Sequence, residues 1–79
     1  MKKNLADRAK LKNLGSRIRR MRTEKSISQE ELADRAGVHR TYVGMIERGE
    51  KNITVLSAEK IAAALGVSIS ELFEGYEDG

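Results

Sequence analysis

The stretch from Gln29 to Arg48, QEELADRAGVHRTYVGMIER, leaves the rest of the chain little choice of architecture. Leu32, Ala33 and Ala36 recur at steps that put them on one helix face before Gly37, and Val38, Val43 and Ile46 do the same after it. A glycine at that junction suits a helix end that turns into the left-handed conformation. Ala33 is small where two helices crossing near a right angle need a small contact. The spacing therefore predicts two short helices joined by a tight turn and packed on each other. His39, Arg40, Thr41, Tyr42, Gly44 and Met45 remain outward on the second of them, a surface able to contact DNA bases and phosphates.

The flanking segments supply the helices that such a pair needs as a platform. Leu14, Ile18 and Met21 form an apolar stripe surrounded by Arg17, Arg19, Arg20 and Arg22, which predicts a first helix from Asn13 to about Glu24. Ser28 with Glu31 has the spacing of a capping box, and Ile27 with Leu32 that of a hydrophobic staple, so the second helix runs from Gln29 to Ala36. His39 stands where an N-cap belongs, and the third helix spans Arg40 to about Arg48, stopped by Gly49. Thr54 caps a fourth helix with Val55, Ala58, Ile61, Ala62 and Leu65 inward and Gly66 closing it. Ser68 with Glu71, a second capping box, opens a short fifth helix containing Leu72 and Phe73. The expected fold class is all-α, a five-helix core over residues 13–74, with a frayed or weakly helical basic arm at 1–12 and a mobile acidic tail at 75–79.

At 79 residues this is one small domain, which can hide only about 60 to 65% of the surface of its unfolded chain, so pairing with a second copy would help it. There is no cysteine, hence no disulfide framework or thiolate zinc site, and no apolar run of membrane-spanning length. A cytoplasmic protein without membrane contact is expected. The formal charge of +3 hides a strong asymmetry. Residues 1–25 carry ten Lys or Arg against two acidic residues, whereas residues 26–79 carry five against ten. A polyanion is the natural partner of the first segment.

An α-helix fits the major groove of DNA, where an arginine reads guanine through two parallel hydrogen bonds. Arg40 is the leading base reader, and Thr41 and Met45 share its outward face. Tyr42 either packs its ring at the helix edge or donates its hydroxyl to a phosphate, the second being favoured. Gln29, beside the free N–H groups that open the second helix, is placed to hold a phosphate. Lys51 and Asn52 in the following loop can donate hydrogen bonds, and Gly44 can allow close approach to a duplex. A lone histidine with no nucleophile or carboxylate pair at a useful spacing argues against an enzyme and against a metal site. His39 is better read as a cap. No cofactor or small-molecule ligand is expected.

Taken together, LGSRIRRMR, SQEELADRAGVHRTYVGMIERG and ALGVSISELF resemble the Xre/Cro–CI family of five-helix, lambda-repressor-like DNA-binding domains with a helix-turn-helix. The likeness extends over about Leu14 to Phe73. Within that family, HRTYVGMIERGEKNIT resembles the controller proteins of restriction-modification systems. The resemblance implies a homodimer on a pseudo-palindromic double-stranded DNA operator, with Arg40 and Thr41 at bases, Tyr42 at the backbone, and Gln29, Lys51 and Asn52 on phosphates. It implies an ion pair between Arg22 and Glu47 joining the first and third helices. It also implies activation of an endonuclease gene, with RNA polymerase as a candidate partner, and repression of the protein's own promoter at higher concentration. Leu56 departs from the family pattern by being apolar where a polar residue is usual, and Ala58 by being small. The outward leucine points to a dimer contact through Leu56, Ile69, Leu72 and Tyr76. A phage-type or chromosomal repressor and an antitoxin are the rival readings within DNA binding, and a protein-interaction module without DNA binding is the rival from another class.

Overall fold

A computed structural model describes residues 5–76 of the chain, with side chains from Asp7 onward. Five helices follow one another: α1 Leu5–Glu24, α2 Gln29–Ala36, α3 Arg40–Glu47, α4 Val55–Leu65 and α5 Ile69–Leu72. Their boundaries have local causes. Ser28, Thr54 and Ser68 each sit in extended backbone and accept, through the side-chain oxygen, the N–H of the residue three positions on. Gly37 and Gly66 end α2 and α4 at φ of 70° and 72°, the left-handed region that favours glycine.

The two capping boxes differ. At Ser68 the exchange is reciprocal, with the Ser68 N–H donating to Glu71 Oε1 at 3.0 Å. At Ser28 only the serine half forms, because the Glu31 carboxylate turns instead to Arg35, one turn further along α2.

The first helix begins at Leu5 rather than Asn13, so of the two forms expected for the arm residues 5–12 take the helical one, continuous with α1. The physical reason is Leu11. It precedes Leu14 by three residues and Ile18 by seven, which puts all three on one face, and it is buried. Side chains from these early turns also hold the far end of the chain. Lys10 Nζ lies 5.6 Å from the centre of the Tyr76 ring, and Asn13 Nδ2 donates to the Gly75 carbonyl at 3.4 Å. Arg17 Nε donates to the Glu71 carbonyl at 2.9 Å. Residues 1–4 of the expected arm and 77–79 of the expected acidic tail lie outside the described residues.

The core is one cluster to which every helix contributes, and Ile18, Leu32, Val43, Ile61, Leu65 and Leu72 are its fully enclosed members. Each such side chain contributes on the order of 1.5–3 kcal/mol by leaving water. Two expectations are corrected here. Leu72 is 0% exposed and faces the core, so it cannot be a dimer contact. In a four-residue helix docked on α1 and α4, it is the residue whose face meets both. Val55, expected inward, is 77% exposed, because as the first residue of α4 it projects beyond the turn where Ala58, Ile61, Ala62 and Leu65 pack.

The crossing of α1 and α3 depends on the absence of a side chain. A Cβ at Gly15 would stand 2.3 Å from the Ile46 carbonyl oxygen and 2.6 Å from that of Glu47. Both are backbone atoms, so the helices could not meet at this distance with any residue but glycine at that point. Gly49, at φ 72°, performs the same service just after α3, where a Cβ would lie 2.8 Å from Lys12 Cα.

Candidate nucleic-acid interface

The second and third helices meet as the sequence requires, across Leu32, Ala33, Ala36, Val43 and Ile46, all buried. This packing fixes which face of α3 is left for a ligand. His39 caps the helix by accepting the Thr41 N–H on Nδ1 at 3.1 Å, so its ring nitrogen is used structurally. Arg40 and Thr41 are exposed and Met45 is half-buried at the edge of the same face.

Beneath that face lies a polar anchor. Arg22 Nε donates to Glu47 Oε2 at 2.6 Å and Nη2 to Oε1 at 3.0 Å, while Nη1 donates to the Ile27 carbonyl at 2.9 Å. The guanidinium thus joins the end of α1, the turn before α2 and the end of α3. Its hydrogen bond to Glu47 raises the Arg22 pKa further, with burial opposing and the carboxylate charge assisting. Glu47 is only 7% exposed, and its Oε1 also accepts Gln29 Nε2 at 3.0 Å. A carboxylate so enclosed is tolerable because its partners satisfy it.

That network alters the reading of Gln29. Its amide is held over α3 by Glu47, so the first residue of α2 is orientated before any phosphate arrives. Gly44 is covered rather than bare, and a Cβ there would meet Arg48 Nη1 at 3.1 Å and Gln29 Oε1 at 3.6 Å. Its smallness makes room for these two side chains over the helix. Arg22, Ser28, Gln29, Glu30, Arg40, Thr41, Gly44 and Arg48 together line one polar cleft between the start of α2 and α3.

Two ion pairs at this surface are not evident from the sequence. Arg40 Nη1 donates to Glu30 Oε2 at 2.9 Å, across from α3 to α2, with both side chains about two-thirds exposed (68% and 65%). Arg48 Nε donates to Glu50 Oε2 at 3.0 Å, which raises the arginine and lowers the carboxylate pKa. Sequence separation hides the first of these, since Glu30 and Arg40 become neighbours only when the turn at Gly37 folds α3 back on α2. Tyr42 is half-buried against the core, and its hydroxyl accepts a long hydrogen bond of 3.5 Å from the Thr54 N–H. The ring therefore packs, and the phenolic proton stays available. Lys51 and Asn52 are exposed in the loop after α3. Leu56 at 68% and Ile69 at 40% exposed lie apart from this face, and Tyr76 is half-buried against Phe73 in an edge-to-face contact.

Comparison with known proteins agrees with this geometry. The helix-turn-helix family pattern matches residues 18–72. The control protein C.MunI of a Mycoplasma species is 41% identical over 64 residues, which span 80% of this chain and 86% of that protein. The crystal structure of the restriction-modification controller protein C.AhdI from Aeromonas hydrophila superposes with a TM-score of 0.81 at 45% identity, covering 82% of this chain and 98% of that one. The structure of SinR, a master regulator of biofilm formation, in complex with DNA gives a TM-score of 0.71 at 42% identity over 75% of this chain and 95% of that one. On the fold, the α2–α3 geometry and these likenesses, the chain belongs to the helix-turn-helix family of the Xre/Cro–CI type and is akin to the restriction-modification controller proteins within it.

Proposed function

We propose that this protein is a sequence-specific transcriptional regulator that places α3 in the major groove of an operator, with Arg40 reading a guanine and Thr41 and Met45 contacting adjacent bases. The observation that carries the reading is the division of α3 into two faces. Val43, Ile46 and Glu47 are sealed against the rest of the molecule, and Arg40 and Thr41 are left in solvent. Gln29 on one side, and Lys51 with Asn52 on the other, would position the helix by holding phosphates, contacts that set register without carrying sequence information. Tyr42 would add its hydroxyl to the backbone contacts.

The protein would act as a homodimer in the cytoplasm on a pseudo-palindromic site, its two recognition helices entering successive major grooves about 34 Å apart. The exposed Leu56 on α4, and Val55, Ile69 and Tyr76, which line one groove, are the residues proposed to join the two copies. The likeness to C.MunI and C.AhdI supports a controller role, in which low occupancy activates an endonuclease gene through contact with RNA polymerase and high occupancy represses the protein's own promoter. Footprinting on the DNA upstream of the protein's own gene tests this reading. Two protected half-sites centred about one helical turn apart, or a multiple of it, are expected. A single unpaired patch, or uniform protection, would sink the dimeric reading.

A further inference from the structure

The fate of the basic residues on α1 divides them into two groups. Arg17 and Arg22 are committed to Glu71, Glu74 and Glu47, and Lys10 lies over Tyr76. Arg8, Lys12, Arg19 and Arg20 are exposed, and none of them is in an ion pair with a carboxylate among the described residues. The first three stand four and seven residues apart, so they form one row about 16 Å long on a single side of the helix, from which Arg20 is turned by about 100°.

Two close approaches fix which side that is. Gly15, within this row, lies on the Ile46 and Glu47 carbonyls at the end of α3, and Lys12 lies on Gly49, the residue that leads from α3 into the Lys51–Asn52 loop. The row therefore flanks the end of α3, which crosses it at Gly15, and Lys12 stands beside the phosphate-holding loop. We infer that Arg8, Lys12 and Arg19 form a second phosphate track, which extends the contact of each protomer along the DNA backbone without reading sequence. The inference rests on the DNA-binding reading above.

The rigidity of α1 decides between backbone and groove. A flexible arm could enter the minor groove, but residues 8–19 belong to one continuous helix. With side chains an α-helix is about 10–12 Å across, and the minor groove is about 6 Å wide. The major groove of the half-site is taken by α3. What remains for the row is phosphate, whose neutralisation releases counterions and makes affinity fall with salt.

The test compares wild type, an R8A/K12A/R19A triple variant, Arg40→Ala and Lys60→Ala, a control that removes an exposed charge from α4. Affinity for two duplexes, the DNA upstream of the protein's own gene and a random sequence of equal length, is measured by fluorescence anisotropy across a salt series. The triple variant is expected to bind both duplexes more weakly by the same factor, leaving their ratio unchanged. Its plot of log affinity against log salt should be shallower by about 2 to 3, near 0.9 for each phosphate no longer neutralised. Alanine is a good helix former, so its melting curve should match wild type. A slope equal to that of wild type, or an equal change in Lys60→Ala, would overturn the track. Loss of preference for the upstream duplex in wild type would instead refute sequence-specific binding, and the random duplex would still report on the track.

Discussion

At the scale of single residues, the surface that would meet DNA is set by groups that would not touch it. Glu47 holds Arg22 with two hydrogen bonds and Gln29 with a third, and it is almost wholly enclosed. Replacing it by alanine leaves a guanidinium that is 11% exposed without its counter-charge, a loss that costs about 3–5 kcal/mol for buried pairs. In a domain of this size 1 kcal/mol moves Tm by about 4–8 °C, so Glu47→Ala should lower Tm by more than about 10 °C in a circular-dichroism melt. An unchanged Tm would show that the pair does not anchor the fold. Glu30 acts on Arg40 more lightly. Their pair is solvent-exposed, and such pairs contribute about 0–1 kcal/mol to stability. Glu30→Gln should therefore leave Tm within a few degrees while tightening binding to random-sequence DNA, because it frees the arginine and removes a negative charge beside the proposed phosphate contacts. Weaker binding by this variant would mean that Glu30 itself makes a favourable DNA contact.

At the scale of elements, each helix end has its own chemistry, and α5 shows it most clearly. Glu71 accepts the Ser68 backbone N–H, which is the main reason its carboxyl titrates below the usual range, with the Ser68 side chain and the Arg17 charge assisting. A depressed folded-state pKa means stability that is present above the unfolded value, about 4.3, and is lost as pH falls through the folded value. Wild type should thus be more stable than Glu71→Gln near pH 7, with the gap closing as pH is lowered from the unfolded value of about 4.3 through the folded one beneath it, as read from urea midpoints at each pH. A gap constant with pH would assign the effect to the hydrogen bond alone.

Element boundaries are legible in the sequence wherever a capping side chain or a left-handed glycine enforces them, as at Ser28, Gly37, His39, Thr54, Gly66 and Ser68. The start of α1 is not, because Leu5 and Ala9 fall out of phase with Leu14 and obscure the three- and seven-residue spacing of Leu11. The inward face of α4 reads correctly from Ala58 onward. Val55 shares that phase and still escapes burial, since periodicity fixes a direction but not whether a neighbour is there to receive it. Leu72 fails for the opposite reason, an apolar residue in a four-residue helix whose docking on α1 and α4 no local pattern encodes. Gly44 and the Glu30–Arg40 pair need the α2–α3 crossing itself before their neighbours can be known.

At the scale of the whole molecule, a polar cleft lies between the start of α2 and α3, and the large exposed apolar side chains, Val55, Leu56 and Ile69, are on α4 and α5. Large exposed apolar groups on so small a domain are natural candidates for a self-association site. Leu56→Asp would bring a charge into that site from each copy, so sedimentation equilibrium should show a dimer for wild type and a monomer for the variant, with the melting curve of the monomeric fold retained. A dimer undiminished by the change would place the interface elsewhere.

The regulatory reading of this molecule depends on α3 reading DNA through Arg40. A gel-shift titration on the DNA immediately upstream of the protein's own gene, at two salt concentrations and with Arg40→Ala alongside, tests it most directly. Saturable binding that weakens steeply with salt is the predicted result. Arg40→Ala should also lose its advantage over random DNA by about 1–3 kcal/mol, roughly five- to 150-fold. Wild-type binding no tighter than to random DNA, or an Arg40→Ala variant that discriminates as well as wild type, would contradict it.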